Sequence, residues 1–214
     1  MEVAWNKNMI KVKICGLKRL EDIEIINEYQ PEYIGFVFAH TKRYVEKETA
    51  RKLRNALNPE IQAVGVFVNE DISVIEELCR EQIIQLVQLH GDEDLSYIEQ
   101  LRKCVKQPII KAVRVRNREQ ILEAEKLPVE YLLLDTYVKG TYGGSGQEFD
   151  KTLIPELKKP YFLAGGLNDG NVRKNIEDCE PYGVDVSSAV ETDGVKDRAK
   201  IKVFIETVRK DRKS

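Results

Sequence analysis

Cys15 and Asp135 are the residues best suited to move protons in this chain. Cys15 stands in Lys13-Ile14-Cys15-Gly16, where the apolar run Ile10 to Ile14 meets its loop. A thiol there serves as a base only if its pKa falls; a lone cysteine also behaves as a small hydrophobe, and its type alone leaves that reading open. Asp135 directly follows Leu132-Leu133-Leu134. Such an acid is either paired or has its proton affinity raised by partial desolvation, which a general acid near neutral pH requires. The competing reading is a carboxylate that caps the next loop.

Other candidates sit at comparable places. Arg43, in the cationic stretch His40-Thr41-Lys42-Arg43-Tyr44, is suited to clamp a carboxylate or phosphate through its fork, or to stand as a solvated surface arginine. His90 ends Gln88-Leu89-His90-Gly91; a satisfied structural histidine competes with a functional one at that position and at His40. Late in the chain come Gly143-Gly144-Ser145-Gly146, then Gly165-Gly166, then Ser187-Ser188-Ala189. Glycines let backbone N–H groups approach an anion, and glycines and serines at consecutive late loops point to a phosphate. The remaining cysteines, Cys79, Cys104 and Cys179, lie in stretches of helical texture and read as packing residues.

The elements that must hold these residues recur along the chain. Eight short apolar runs are present: Ile10 to Ile14, Tyr33 to Phe38, Ala63 to Val68, Leu86 to Leu89, Ile109 to Val115, Tyr131 to Leu134, Tyr161 to Leu163 and Val184 to Val186. Most are continuous rather than alternating, as strands buried on both faces of a parallel sheet should be. Charged stretches of helical period lie between them. Ile201, Phe204, Ile205 and Val208 recur at i, i+3, i+4 and i+7, and Ile72, Ile75, Leu78 and Cys79 repeat the pattern after a cap at Asp71. The sixth connection is the least regular, because a glycine-rich stretch opens it. Eight strand–helix units predict a single-domain (β/α)8 TIM barrel over residues 9–214, preceded by an N-terminal extension, residues 1–8. In that architecture the candidates all fall at the C-terminal ends of strands, where barrel active sites are built, and phosphate is commonly held after the seventh and eighth strands.

Bulk properties narrow the partners. With 214 residues the chain can bury one sizeable core, and its 34 basic and 36 acidic residues nearly cancel to a formal charge of −2. Nucleic-acid binding, which needs a basic stripe, is not expected. No apolar run approaches the ~20 residues that span a bilayer. The cysteines form no CxxC pair and lack companion histidines at zinc-ligand spacing. These features predict a cytoplasmic protein without a zinc site that acts on a small phosphorylated molecule, and they leave monomer and homodimer both open.

Taken together, the segments resemble the phosphoribosylanthranilate isomerase family. The resemblance is carried by Lys13-Ile14-Cys15-Gly16, Gly35-Phe36-Val37-Phe38, Lys42-Arg43-Tyr44, Gly65 to Asn69 and Gln88-Leu89-His90-Gly91, continuing through Leu133-Leu134-Asp135, Tyr142 to Gly146, Ala164 to Leu167 and Asp185 to Glu191. These run in order from the first strand to the last. The resemblance implies an Amadori rearrangement in tryptophan biosynthesis, from N-(5-phosphoribosyl)anthranilate to 1-(o-carboxyphenylamino)-1-deoxyribulose 5-phosphate, with no metal or redox cofactor taking part. It further implies Asp135 as general acid, Cys15 as general base, and Arg43 against the anthranilate carboxylate. His90 would be a neighbour, and Gly143, Gly144, Gly146, Gly165, Gly166, Ser187, Ser188 and Ala189 would hold the phosphate. To act as a base near neutral pH, Cys15 is expected to need a lowered pKa, and Lys13, two residues away on the same face, is the candidate to supply it.

Rival readings fit less well. The related isomerase of histidine biosynthesis works with paired aspartates, whereas the first-strand residue here is Cys15. A metal-dependent epimerase would need more ligands than two histidines suggest. A barrel that binds without catalysing would have no use for both Cys15 and Asp135. The chain departs from many relatives at Ala189, where they carry glycine; that matters only if the position needs positive φ.

Overall fold

The computed structural model describes residues 9–136 and 150–210. The apolar runs form eight parallel strands: β1 (Lys11–Cys15), β2 (Tyr33–Val37), β3 (Gln62–Phe67), β4 (Leu86–Leu89), β5 (Ile109–Val115), β6 (Tyr131–Thr136), β7 (Tyr161–Leu163) and β8 (Gly183–Val186). Each pairs with the next, and β8 returns to β1 with Lys13 opposite Asp185 and Ile14 opposite Val186. The result is a closed, single-domain (β/α)8 barrel. The β-branched and aromatic content of these runs suits a strand covered on both sides.

Helices alternate with the strands: α1 (Leu20–Tyr29), α2 (Lys47–Ala56), α3 (Ile72–Arg80), α4 (Leu95–Cys104), α5 (Arg118–Glu125), α6 (Val172–Cys179) and α7 (Arg198–Arg209). Asp71 caps α3 by accepting from the Ser73 amide, as its spacing predicts, and Asp197 caps α7 by accepting from Ala199 and Lys200. The expected stripe of α7, Ile201, Phe204, Ile205 and Val208, is buried against the barrel, each side chain contributing about 1.5–3 kcal/mol. The sixth connection departs from the expected strand–helix alternation. Among the described residues it carries only a 3-10 turn, Lys151–Leu153, capped by Asp150. Pro155 and Pro160 punctuate the ten residues before β7, and proline ends a helix by lacking a donor and restricting the residue before it. No described helix is long and apolar enough to cross a membrane.

Strand alternation sorts the side chains into two sets. Val12, Ile14, Ile34, Phe36, Leu132 and Leu134 face outward and join the helices in the main core. The inward set fills the bore in layers: Tyr33, Val64, Leu86, Leu133 and Phe162 lie low, and Cys15, Val37 and Val66 lie above them. The same alternation that sends Leu133 into the bore sends Asp135 into its mouth.

Candidate active site

Cys15, Arg43, His90, Asp135, Gly165, Gly166, Ser187 and Ser188 line one cavity of about 450 Å³ at the C-terminal mouth of the barrel. Eight of the twelve residues expected in the site are thereby brought together. The expected phosphate ligands Gly143, Gly144 and Gly146 lie outside the described residues. Ala189 is part-buried, packs against the main core, and falls outside the cavity lining. Its φ is not positive, so the methyl group costs no backbone strain there.

Cys15 is the last residue of β1 and is buried. Opposite it stands Gly35 of β2, where any Cβ would come within 2.6 Å of the thiol sulfur; only glycine leaves the sulfur room. Beneath it Lys13 is fully buried, its Nζ donating to Asp185 Oδ1 at 2.8 Å. The charges around the thiol oppose one another. Burial pushes its pKa up, Lys13 and Lys196 pull it down, and Asp185 pushes it up again, with a net rise above the ordinary thiol value. The expected depression of the Cys15 pKa is therefore corrected: Lys13 works in the expected direction, but desolvation and Asp185 outweigh it. Cys79, in the main core, is pushed up to about 12 by burial.

Asp135 is buried at the end of β6. His90 Nε2 lies 3.3 Å from its Oδ2, within ion-pair distance, while Nδ1 of the same ring lies 2.8 Å from Gln88 Nε2. With the Gln88 amide donating, Nδ1 accepts and the ring proton sits on Nε2, the nitrogen that faces Asp135. His90 thus stands where a strand-end reading puts it. His40 does not: it is exposed and stacks on Tyr44 with ring centroids 5.1 Å apart, outside the cavity lining.

The late loops have the conformations that anion binding favours. Gly165 and Gly166 take φ of 80° and 67° in succession, a region that side chains avoid. The Gly166 carbonyl accepts from Asn171 Nδ2 at 2.9 Å, which turns the loop around its own carbonyl. Ser187 Oγ donates to the Cys15 carbonyl at 2.9 Å and ties the end of β8 to the end of β1.

Arg43 is not solvated. Its Nε and Nη2 donate to Glu191 Oε1 and Oε2 at 2.7 and 2.9 Å, and Lys196 Nζ donates to Oε1 at 2.8 Å. Burial would raise the Glu191 pKa, but the two cations outweigh it and hold the carboxyl at about 2. Glu191 and Lys196 face each other across a hairpin of β9 (Glu191–Thr192) and β10 (Val195–Lys196), turned by Asp193 and Gly194 at positive φ. Sequence reasoning singled out neither Lys196 nor this pairing. The signal was present: Asp-Gly between two short extended pairs marks a two-residue hairpin.

Residues 12–207 match the family model described as N-(5'phosphoribosyl)anthranilate (PRA) isomerase. A protein of Lachnoclostridium phytofermentans named N-(5'-phosphoribosyl)anthranilate isomerase is 54% identical over 209 residues, covering 92% of this chain and 96% of that protein. The crystal structure of phosphoribosyl anthranilate isomerase from Thermotoga maritima superposes with a TM-score of 0.83 at 36% identity, covering 94% of this chain and 99% of that one. A structure of such an isomerase in complex with reduced 1-(o-carboxyphenylamino)-1-deoxyribulose 5-phosphate superposes with a TM-score of 0.78 at 35% identity, with the same coverage.

Proposed function

The chain belongs to the N-(5'-phosphoribosyl)anthranilate isomerase family, and from that premise we propose that Asp135 is the general acid and Cys15 the general base of its reaction. The reaction is the aldose–ketose isomerisation of N-(5-phosphoribosyl)anthranilate in tryptophan biosynthesis. The observation that carries the assignment is that an acid from β6 and a thiol from β1 line one cavity.

Asp135 gives its proton to the furanose ring oxygen. The bond from that oxygen to C1′ breaks, and the anthranilate nitrogen donates its lone pair to form an iminium. Cys15 as thiolate then removes the proton on C2′, whose electrons form the C1′–C2′ double bond of an enolamine and neutralise the nitrogen. Ketonisation releases one proton from the enol oxygen and adds one to C1′, which restores both catalytic groups. The order has an electrostatic reason. The resting thiol has a raised pKa, and an iminium cation beside it favours the thiolate, the thiol proton passing to solvent and returning from it once the product leaves. Base strength thus develops when C2′ has become acidic.

Arg43 takes the anthranilate carboxylate, and the phosphate lies against the backbone of Gly165, Gly166, Ser187 and Ser188, with Gly143, Gly144, Gly146 and Ala189 as further donors. His90, facing Asp135, orients the acid. Residues 9–214 form the catalytic domain, residues 1–8 an extension, and the working compartment is the cytoplasm. The test is turnover of freshly generated phosphoribosylanthranilate, followed by loss of anthranilate-type fluorescence. Cys15→Ala and Asp135→Asn should each lose about 10²–10⁴-fold in kcat while keeping the wild-type fold by circular dichroism. Wild-type rates in either variant would remove that residue from the mechanism.

A further inference from the structure

A guanidinium offers a carboxylate two different edges, one through Nε and one Nη, the other through both Nη atoms. In Arg43 the first edge is taken: Nε and Nη2 reach the two oxygens of Glu191. Of the five N–H groups of an arginine, three remain, two on Nη1 and one on Nη2, and one from each nitrogen lies along the second edge. Arg43 lines the cavity and Glu191 does not. We propose that Glu191 is a positioning residue, holding Arg43 by its Nε edge so that the edge formed by both Nη atoms is presented to the carboxylate of the substrate's aromatic ring. The inference rests on the reading that Arg43 takes that carboxylate.

Three features of the site support this division. Glu191 has little freedom of its own, with a side chain 6% exposed. Its Oε1 also accepts from Lys196, which donates in turn to the Ser187 carbonyl at 3.0 Å, and its own carbonyl accepts from Lys200 Nζ at 2.7 Å. The arginine's stem is confined as well. It passes over Gly16, where a Cβ would come within 2.4 Å of Arg43 Cδ. Finally, the charges do not cancel. Arg43 and Lys196 bring two positive charges and Glu191 one negative, so one positive charge is left over beside the cavity, and an aromatic carboxylate would neutralise it. A hinge-free guanidinium with one edge open and one surplus charge is a receptor for a second carboxylate.

Glu191→Gln is nearly isosteric, yet its amide turns one acceptor into a donor that opposes an N–H of Arg43. The readout is a ratio of affinities. Calorimetry would compare reduced 1-(o-carboxyphenylamino)-1-deoxyribulose 5-phosphate with its phenylamino counterpart, which lacks only the carboxylate. In wild type the carboxylate should strengthen binding on the order of 10- to 100-fold. In Arg43→Ala the ratio should approach one, and in Glu191→Gln it should fall most of the way there. A purely structural Glu191 would weaken both ligands alike and leave the ratio at its wild-type value, which overturns the proposal while Arg43 keeps its role. A wild-type ratio in Arg43→Ala would overturn the underlying reading of Arg43, and this inference with it. Should thermal melts show Glu191→Gln unfolded, Glu191→Asp serves instead. It keeps the charge but withdraws the carboxylate by one methylene, so a reduced ratio supports the proposal and an unchanged one overturns it.

Discussion

Lys13 keeps its charge in full burial because Asp185 lies 2.8 Å away on the neighbouring strand. Burial alone would lower its pKa, but Asp185 and Cys15 outweigh burial and raise it. The consequence for Cys15 has a definite sign. Thiolate is the form that reacts with iodoacetamide, and the Lys13 ammonium favours thiolate. Removing it in Lys13→Met leaves Asp185 to oppose thiolate, so the pH profile of Cys15 alkylation, read by mass spectrometry, should move to higher pH. A move to lower pH would contradict this electrostatic picture. The same variant strands a part-buried carboxylate, at a cost of up to about 3–5 kcal/mol, the value for removing one partner of a fully buried pair. For a protein of this size that corresponds to a fall in Tm of up to about 6–20 °C. Cys15 and Asp135 were legible in the sequence because each follows an apolar run directly. Asp185 as the partner of Lys13 was not, since 172 residues separate them and only barrel closure makes them neighbours.

Gly16 shows how a strand end shapes a binding group. It leaves β1 at φ 88°, and its amide donates to the Gly35 carbonyl at 2.8 Å. An alanine there meets two obstacles, a left-handed backbone that costs about 1–2 kcal/mol and the Arg43 stem at 2.4 Å. Gly16→Ala is expected to raise KM for phosphoribosylanthranilate more than it lowers kcat, because the role proposed for Arg43 is to bind a group remote from the reacting atoms. An unchanged KM in steady-state kinetics would show that the stem yields freely. Most elements were legible from apolar runs: the runs Leu86 to Leu89 and Ile109 to Val115 coincide with β4 and β5. The hairpin of β9 and β10 was not read, because four extended residues around Asp193-Gly194 bury too little apolar surface to stand out. The sixth connection lacks a helical pattern in its described part for the reason its prolines supply.

The closed barrel is what turns scattered strand ends into one cavity, with β8 bringing Ser187 to the carbonyl of Cys15. Binding that engages phosphate and carboxylate should therefore stabilise the whole barrel. At a hundred times its Kd, the reduced product analogue should add about 2.7 kcal/mol, or about 5–11 °C in Tm. The shift should persist in Cys15→Ala and Asp135→Asn, whose changes spare the phosphate and carboxylate contacts. Loss of the shift in both variants would mean that these two residues serve binding rather than proton transfer. The late loops at Gly165-Gly166 and Ser187-Ser188 were legible from their glycines and serines, but which amides would face an anion was not, since that depends on dihedral angles such as those of Gly165 and Gly166.

The division of labour between Asp135 and Cys15 is read most directly by the deuterium isotope effect on kcat/KM with substrate deuterated at C2′. Cys15→Ser, a poorer base, should make C2′ proton removal limiting and express a large effect. Asp135→Asn should make ring opening limiting and bring the effect close to one. A large effect in Asp135→Asn with none in Cys15→Ser would contradict the assignment of acid and base.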